Sequence, residues 1–360
     1  MYWILVTGAT GYIGSHTCIL LLKSGYNIVI LDNFSNSSPK VIDNIIKVSN
    51  LNSKEISRRI KVFEIDICNH NSLDNMFSSM IKSRKKINAV IHFAGLKSVA
   101  DSVEQPYKYW ETNVLGGINL IQTMESYNCK TFVFSSSATV YGPTSKIPIK
   151  ESDLIKPCSP YGSTKASFEN FLADISGCTE TLKCSIPSNK EWRIARLRYF
   201  NPVGAHSSGN LGELPKGKPN NLFPLIAEVC SGEREILEIF GNDWPTKDGT
   251  GVRDYIHVMD LAEAHLLTLS KLFISDPQIL TLNLGTGIGT SVLELIKTFE
   301  LETGRKVPYK ISERRRGDLS ISIADPINAL KYLNWKAKFG IKEMCRDGWR
   351  WKQSQAQNNI

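Results

Sequence analysis

The feature that most limits how this chain can fold lies at its start. A short apolar run ending in Ile4-Leu5-Val6 breaks into Gly8-Ala9-Thr10-Gly11-Tyr12-Ile13-Gly14, and a helical apolar pattern runs on from Ile13 to Leu22. Strand, glycine turn and helix in that order bring bare backbone and a helix N-terminus to one point. The spacing is G-x-x-G-x-x-G. A tight turn needs a residue free to take positive φ, a pyrophosphate needs bare backbone, and the third glycine lets helix and strand pack closely. Asp32 closes the next apolar strand, Ile28 to Leu31, 18 residues after Gly14. A carboxylate there accepts hydrogen bonds from a ribose 2′-hydroxyl and repels a 2′-phosphate. No Arg or Lys lies between Gly8 and Gly14. The expectation is a dinucleotide site that prefers NAD to NADP. Gly285-x-Gly287-x-Gly289 also joins strand to helix but lacks a third glycine in register, and reads as structural.

The alternation continues beyond the first unit. Apolar runs at 62–65, 89–93, 131–134 and 194–199 read as strands, with helical patterns at about 72–82, 107–127 and 161–176 between them. Such alternation gives an α/β chain: a Rossmann-type doubly wound parallel sheet with helices on both faces. At 360 residues there is room for about two domains. The Pro- and Gly-rich, apolar-poor stretch 201–220 marks the boundary. Residues 1–200 are expected to form the dinucleotide-binding domain, 201–352 a smaller α/β substrate-binding domain, and 353–360 a fraying polar tail, although chains of this type often return to the first domain later. Residues 35–59, rich in Ser, Asn and Lys, read as an extended surface excursion, and 177–190 as a loop insertion.

Composition removes other classes. No apolar run approaches the roughly 18 residues a membrane span needs. The N-terminal run lacks a basic start and reads as a strand, so a cytoplasmic chain with reduced thiols is expected. The eight cysteines form no C-x-x-C pair, and no H-E-x-x-H or other metal spacing occurs, so no metal is expected. The net charge is +8, but the basic clusters (Arg58-Arg59, 82–86, 314–316) are short and do not alternate with aromatics, which argues against nucleic acid.

Tyr161-Gly162-Ser163-Thr164-Lys165 puts a phenol and an ammonium on one helix face. A lysine cation and a nicotinamide cation would both favour the phenolate, giving a general base for a sugar hydroxyl. Ser135-Ser136-Ser137 ends the preceding strand, where ligands meet a doubly wound sheet, and Ser137 could share the substrate oxygen. Tyr332 and Lys336 repeat the spacing without such a setting.

Several longer segments are more specific. They are Leu31-Asp32-Asn33, His92-Phe93-Ala94-Gly95-Leu96-Lys97, Phe134 to Gly142, Leu197 to His206, and Asp248 to Val258. On these the chain resembles the extended short-chain dehydrogenase/reductases, and within them the enzymes that invert C4 of a UDP-hexose. The resemblance runs from Val6 to about Trp351 and is poor at 35–59 and 177–190. It implies that Gly8, Gly11, Tyr12, Ile13, Gly14, Asp32, Asn33, Asn36, Asp66, Ile67, Phe93, Ala94, Gly95, Lys97, Asn113, Ser135, Tyr161, Lys165 and Phe200 surround NAD. Ser137, Tyr161 and Lys165 would be catalytic. Lys97, Ser137, Tyr161, Asn201, Asn221, Leu222, Arg253, Arg315, Asp318 and Ser322 would hold the UDP-sugar. Arg253 and Arg315 make chemical sense independently, since guanidinium forks suit diphosphate oxygens. His92, His206 and His257 fall in the matching segments and read as structural.

The implied reaction is oxidation at C4, rotation of a planar 4-keto sugar, and re-reduction on its other face. The small Ser322 implies that N-acetylated UDP-sugars are also accepted. A homodimer is implied through helices near 107–127 and 161–176. A 4,6-dehydratase would need an Asp-Glu pair after the catalytic hydroxyl, and Ala138-Thr139 stands there instead. A nucleotide-sugar decarboxylase or reductase, or a non-catalytic NAD-binding regulator, remain as alternatives.

Overall fold

The computed structural model describes residues 2–144, 146–177, 191–214, 216, 217, 219, 221–315 and 318–358, without the side chain of residue 358. Strand β1 (Trp3–Thr7) turns through Gly8 into helix α1 (Tyr12–Lys23), and β2 (Asn27–Asp32) follows. Then come α2 (Lys40–Ser49), α3 (Ser53–Arg59), β3 (Ile60–Glu64), α4 (His70–Lys82) and β4 (Ile87–His92). Short helices α5 (Val99–Glu104) and α6 (Pro106–Trp110) pass through a π-helical turn, Glu111–Leu115, into α7 (Gly116–Ser126). Strand β5 (Thr131–Ser137), helix α8 (Pro160–Ser176) and β6 (Arg193–Tyr199) complete the first half. The second half holds β7 (Asn201–Val203), α9 (Leu222–Ser231), β8 (Leu237–Phe240), β9 (Val252–His257), α10 (Val258–Phe273) and β10 (Gln278–Leu284). It ends with β11 (Gly289–Ser291), α11 (Val292–Thr303), β12 (Tyr309–Ser312), β13 (Ile321–Ser322), α12 (Ile327–Leu333) and α13 (Ile341–Asn358).

Seven parallel strands form the main sheet in the order β10-β6-β5-β4-β1-β2-β3. The two-residue period of a strand explains why β1 and β2 are buried throughout. Ile4, Val6, Ile28 and Ile30 enter a core with α1, α2 and α10 on one face. Leu5, Val29 and Leu31 enter a second core with α4, α7 and α8 on the other. From β1 the chain builds outward to β3, then jumps back to place β4 on the opposite side of β1. A crevice opens at such a reversal, outside the carboxyl ends of β1 and β4.

The second half is not a separate unit that begins at 201. Its smaller sheets, β11-β9-β13 with β7 on β9 and the pair β12-β8, pack over their own core with α9, α11 and α13. Yet β10 is the edge of the main sheet, and α10 and α12 help fill its first core. The chain therefore crosses between the two parts several times.

Two local expectations need correction. Residues 35–59 are not an extended excursion but carry α2 and α3. Val41 and Ile45 reach the main core, and Asn52 and Glu55 form a reciprocal capping box at α3. The Asn- and Lys-rich composition hid an amphipathic face. The tail after Lys352 does not fray at once, because α13 runs to Asn358 with Trp351 buried and the Ser354 hydroxyl donating to Trp351 O (2.9 Å) and to Gly209 O. Residues 178–190 of the expected insertion and 359–360 of the tail lie outside the described residues.

Three histidines are locked inside this fold. His16 donates from Nδ1 to Tyr12 O (2.7 Å) and His265 to Leu261 O (2.8 Å), while their Nε2 atoms have no partner. His92 Nδ1 shares a hydrogen bond with Thr7 Oγ1 (2.7 Å). Burial holds His16 and His92 down to about 3 and His265 to about 4. Their folded pKa values lie below the unfolded value, so the unfolded chain binds more protons once the pH drops below about 6.5. Stability from these sites is complete above that pH and falls on acidification, by ~3 kcal/mol for the three between pH 6.5 and 5.5. Thermal unfolding should show a clearly lower midpoint at pH 5.5 than at 7.5; equal midpoints would mean that these rings protonate in place.

Candidate active site

The crevice is built on backbone. Gly8 has φ +66°, and a Cβ there would lie 2.6 Å from Ala94 N in the loop after β4. A Cβ on Gly14 would lie 2.4 Å from Gly8 O, so the helix start fits against the turn only without a side chain. Helix α1 has no side-chain cap and no acidic residue in its first turn, leaving its first N–H groups to an anion. Asp32 is buried, and its carboxylate accepts from Thr10 N (3.0 Å), Phe34 N (3.0 Å) and Ser37 Oγ (3.1 Å). A carboxylate has about four acceptor sites, so one remains for a ribose hydroxyl. This bare cradle, open helix end and fixed carboxylate fit a dinucleotide.

The remaining residues expected around the cofactor divide into three groups. Asn33, Asn36 and Asp66 rim the crevice beyond β2 and β3. Asn33 Nδ2 donates to Asp66 Oδ2 (2.8 Å), and Cys68 N donates to Asp66 Oδ1 (2.8 Å). These bonds outweigh partial burial and lower the Asp66 pKa. Phe93, Ala94 and Gly95 form the wall after β4, where the Phe93 ring packs at a tilt against that of His265, 4.7 Å between centres. Other side chains are committed to protein partners. Ile67 lies in the core, and Phe200 packs with Val140, Tyr141 and Ala166. Asn113, presented by the π-helical turn, receives Leu96 N (2.8 Å) and donates to Leu96 O and Thr164 Oγ1 (both 3.1 Å). It ties the β4 loop to α8. Lys97 pairs with Glu213 Oε1 at 2.6 Å.

Ser137, Tyr161 and Lys165 come together where β5 ends and α8 begins. Ser159 caps α8 through Gly162 N (3.1 Å), and Pro160 opens it, so Tyr161 sits in the first turn. Lys165 Nζ donates to Ser135 O (2.8 Å) and lies 6.0 Å from the Tyr161 ring centre. The Ser137 hydroxyl accepts from Thr139 N (3.2 Å) and Oγ1 (3.0 Å). The Ser135 hydroxyl bonds that of Tyr199. Burial pushes the Tyr161 phenol up to about 12, against a hydrogen bond with Ser137 that pulls it down; Tyr109 adds to the rise. Burial also draws Lys165 down to about 8, with Glu169 acting the other way. The protein alone thus keeps the phenol neutral; the sequence reading has a lysine cation and a nicotinamide cation together favouring the phenolate.

Beside the crevice is a cavity of about 580 Å³, lined by Asn201, Asn221, Leu222, Arg253, Arg315 and Asp318. All six were expected at a nucleotide-sugar. Tyr12 and Gly204 also line it, joining it to the glycine turn, and the Tyr12 hydroxyl donates to Gly204 O (2.6 Å). Burial lowers the pKa of Arg253, Asp318 opposes this and Arg315 adds to it; the guanidinium remains a cation at neutral pH. Arg315 pairs with Asp318 (3.1 Å) and lies 4.5 Å from the Phe240 ring centre. Ser322 stands opposite Arg253 in the β13–β9 register. Arg316 lies outside the described residues.

The two decoy motifs have structural explanations. The N–H groups of Thr286 and Gly287 donate to buried Asp254 (2.8 and 2.9 Å), leaving them unavailable to a phosphate. Helix α12 ends at Leu333, so Tyr332 and Lys336 do not share a helix face. Among the described residues no cluster of His, Cys, Asp or Glu could hold a metal, and no helix is long and apolar enough to cross a membrane. Sequence reading missed Glu213, Thr164 and Glu169. Only Glu169 carried a signal, standing four residues beyond Lys165 on the same helix face.

The family model described as GDP-mannose 4,6 dehydratase matches residues 5–348. A UDP-glucose 4-epimerase of Bacillus subtilis (strain 168) is 48% identical over 351 residues, covering 98% of this chain and 97% of the relative. Among solved structures, a UDP-glucose 4-epimerase of Stenotrophomonas maltophila with bound NAD and formylated UDP-arabinopyranose superposes with a TM-score of 0.91. It is 42% identical, over 99% of this chain and 100% of that one. One of Bifidobacterium longum in complex with NAD+ and UDP gives a TM-score of 0.88 at 39% identity, over 99% and 100%.

Proposed function

The chain belongs to the UDP-glucose 4-epimerase branch of the extended short-chain dehydrogenase/reductases, and on that premise we propose that it interconverts UDP-glucose and UDP-galactose with NAD as resident cofactor. The observation that carries the reading is the meeting of Ser137, Tyr161 and Lys165 beside a cradle that fits a dinucleotide and a cavity with two guanidinium groups. The matching family model carries the description of a dehydratase. Elimination needs proton carriers after the catalytic hydroxyl, however, and Ala138 has none, while the Thr139 hydroxyl is bonded to Ser137.

Arg253 and Arg315 hold the diphosphate, with Asn201, Asn221, Leu222 and Asp318 around the rest of the nucleotide. Anchoring there leaves the hexose free to turn about its link to the diphosphate. The chemistry that bound NAD supplies is reversible acceptance of the C4 hydride. Tyr161 takes the 4-hydroxyl proton and Ser137 hydrogen-bonds the same oxygen. A 4-keto sugar forms, turns its other face, and regains hydride at C4 and the proton from Tyr161. Lys165, bonded to Ser135 O, would hold the cofactor ribose with its ammonium. Because the protein leaves the phenol neutral, its ionisation waits on the positive charge of the bound cofactor.

Purified protein given UDP-galactose without added NAD should form UDP-glucose. Tyr161→Phe should lower kcat by about 10²–10⁴-fold with little change in KM. Near-normal turnover by that variant would remove Tyr161 from the mechanism, and no turnover by the unaltered protein would favour a non-catalytic NAD-binding regulator.

Ser322 presents a small side chain beside Arg253. The protein is therefore proposed to accept UDP-N-acetylglucosamine as well, a bulky side chain at 322 excluding the N-acetyl group. Ser322→Tyr should lose N-acetyl turnover and keep UDP-galactose turnover; an unaltered protein inert toward the N-acetyl sugar refutes this.

A homodimer is proposed through α5 to α8. Val103, Tyr107, Trp110 and Leu115 are exposed along that face, an apolar surface of the kind that marks protein contacts. Sedimentation at micromolar concentration should give twice the chain mass, and Val103→Asp should weaken the association; a monomer at all concentrations ends the proposal.

A further inference from the structure

Glu169 has no part in the chemistry assigned above, yet it is one of the most deeply buried charges in the chain, 2% exposed. It stands on α8 at i+4 from Lys165 and i+8 from Tyr161, along the face that meets β5. Its carboxylate accepts the Ser136 hydroxyl and is forked by Arg198 of β6, with Nε at 2.9 and 3.1 Å. Arg198 is buried too, and its Nη1 donates to Tyr141 Oη (3.0 Å) and Glu151 O (3.1 Å). Tyr141 passes the chain on to Asn283 of β10, whose Nδ2 donates to Ile149 O (2.9 Å). One connected network thus fastens α8 to β5, β6, β10 and the segment after Ser137.

We propose that Glu169 is a positioning residue for the proposed epimerisation, clamped by Ser136 and Arg198 so that Lys165 and Tyr161 fall in register with Ser135 and Ser137. The inference rests on the epimerase reading for its kinetic consequence, but not for the contact itself. Two consecutive serines each meet one residue of a single helix face: the Ser135 carbonyl receives Lys165 and the Ser136 hydroxyl binds Glu169, while Ser137 is the neighbour that draws the Tyr161 phenol down. A slip of α8 by one residue would break both bonds.

The carboxylate also acts through charge. Lys165 is 6% exposed, a costly place for an ammonium. The groups facing it are Tyr161 and Glu169 on its own helix, the Ser135 carbonyl and Phe134 ring on β5, and His92 on β4. His92 is held neutral by burial, and Glu169 is the anion that favours the charged lysine. Arg198 at 2.5 Å and Arg196 at 3.9 Å both pair with the Glu169 carboxylate, which nonetheless favours the charged form of Lys165.

The test compares the full-length holoenzyme with Glu169→Gln and Glu169→Asp. Two readouts are used: the pH profile of kcat, and the titration of Lys165 followed by NMR on [ε-13C]lysine-labelled protein, assigned with Lys165→Arg. In Glu169→Gln the Lys165 midpoint should move down by about one pH unit, and the alkaline limb of kcat should move with it. At pH 8.5 this variant should lose about tenfold in kcat, with KM for UDP-galactose within twofold because Glu169 does not line the nucleotide cavity. Glu169→Asp keeps the charge and should restore the midpoint. A folded Glu169→Gln with the unaltered titration and pH profile overturns the proposal, as does a Glu169→Asp that titrates like the Gln variant. If Glu169→Gln does not fold, Ser136→Ala asks the same question of the clamp: a lower kcat at constant KM supports it, and an unchanged kcat overturns it. Normal Lys165 titrations in a protein that never turns over a UDP-sugar would sink the epimerase reading and leave the electrostatic role of Glu169 in place.

Discussion

Helix α8 lies against the end of β5 in a register that Ser135 and Ser136 define, and the site follows from that register. The cost is real, since a lysine ammonium, a glutamate and an arginine are all buried within one helix and two strands. Buried ion pairs of this kind add little net stability over well-packed apolar side chains, and losing one partner leaves an expensive orphan. They do impose a single arrangement. An apolar seam between α8 and β5 would tolerate small slips, and each slip would carry the phenol away from Ser137. The network gives up stability that hydrophobic packing could supply and gains geometric definition at the place where proton transfer needs it.

Much of this was legible in the sequence, and the reason is local. The glycine turn, the apolar strands and the cap at Ser159 are each set by neighbours within a few residues, so the main sheet and α8 could be read directly. What escaped depends on partners far along the chain. The partners of two residues expected near the cofactor are examples: the Asn113 amide lies between Leu96 and Thr164, and Lys97 pairs with Glu213 far along the chain. Helices α2 and α3 were hidden by Asn, Ser and Lys, whose weak helical preference is overridden once Val41 and Ile45 reach the core. The boundary at 201 rests on composition, which marks where a chain leaves a sheet, whereas the place of β10 at the edge of the main sheet is a matter of topology.

The crossings between the two parts have a functional consequence. Tyr12 at the head of α1 bonds Gly204 O, Lys97 pairs with Glu213, and Lys216 donates to Phe34 O, so residues 204, 213 and 216 are each tied to the walls of the dinucleotide crevice. A cofactor that returns its hydride within one catalytic cycle has no need to leave. A segment tied down on both sides of its cleft suits retention, whereas an enzyme that releases reduced cofactor would need that cover to open at every turnover. On the proposed function, binding energy for the substrate would fall in the other part, on Arg253 and Arg315 of the cavity, apart from the dinucleotide crevice.

The neutral phenol completes the argument. A tyrosine ionised in the free protein would be a charged group buried in a crevice with no substrate to act on, and burial opposes that state by pushing the pKa up to about 12. The counter-forces are small while the protein is alone: one hydrogen bond from Ser137 and a lysine already drawn toward Ser135 O. Adding a fixed positive ring within the crevice changes the balance, because Coulomb attraction in a site of low dielectric is several times stronger than in water. A bound cation would lower the pKa of the phenol and so raise the share of phenolate able to accept the 4-hydroxyl proton; without that charge, burial keeps the proton on Tyr161. Burial of Tyr161, which at first looks like an obstacle to general-base chemistry, would on the proposed function make ionisation of the phenol depend on the charge of the bound cofactor.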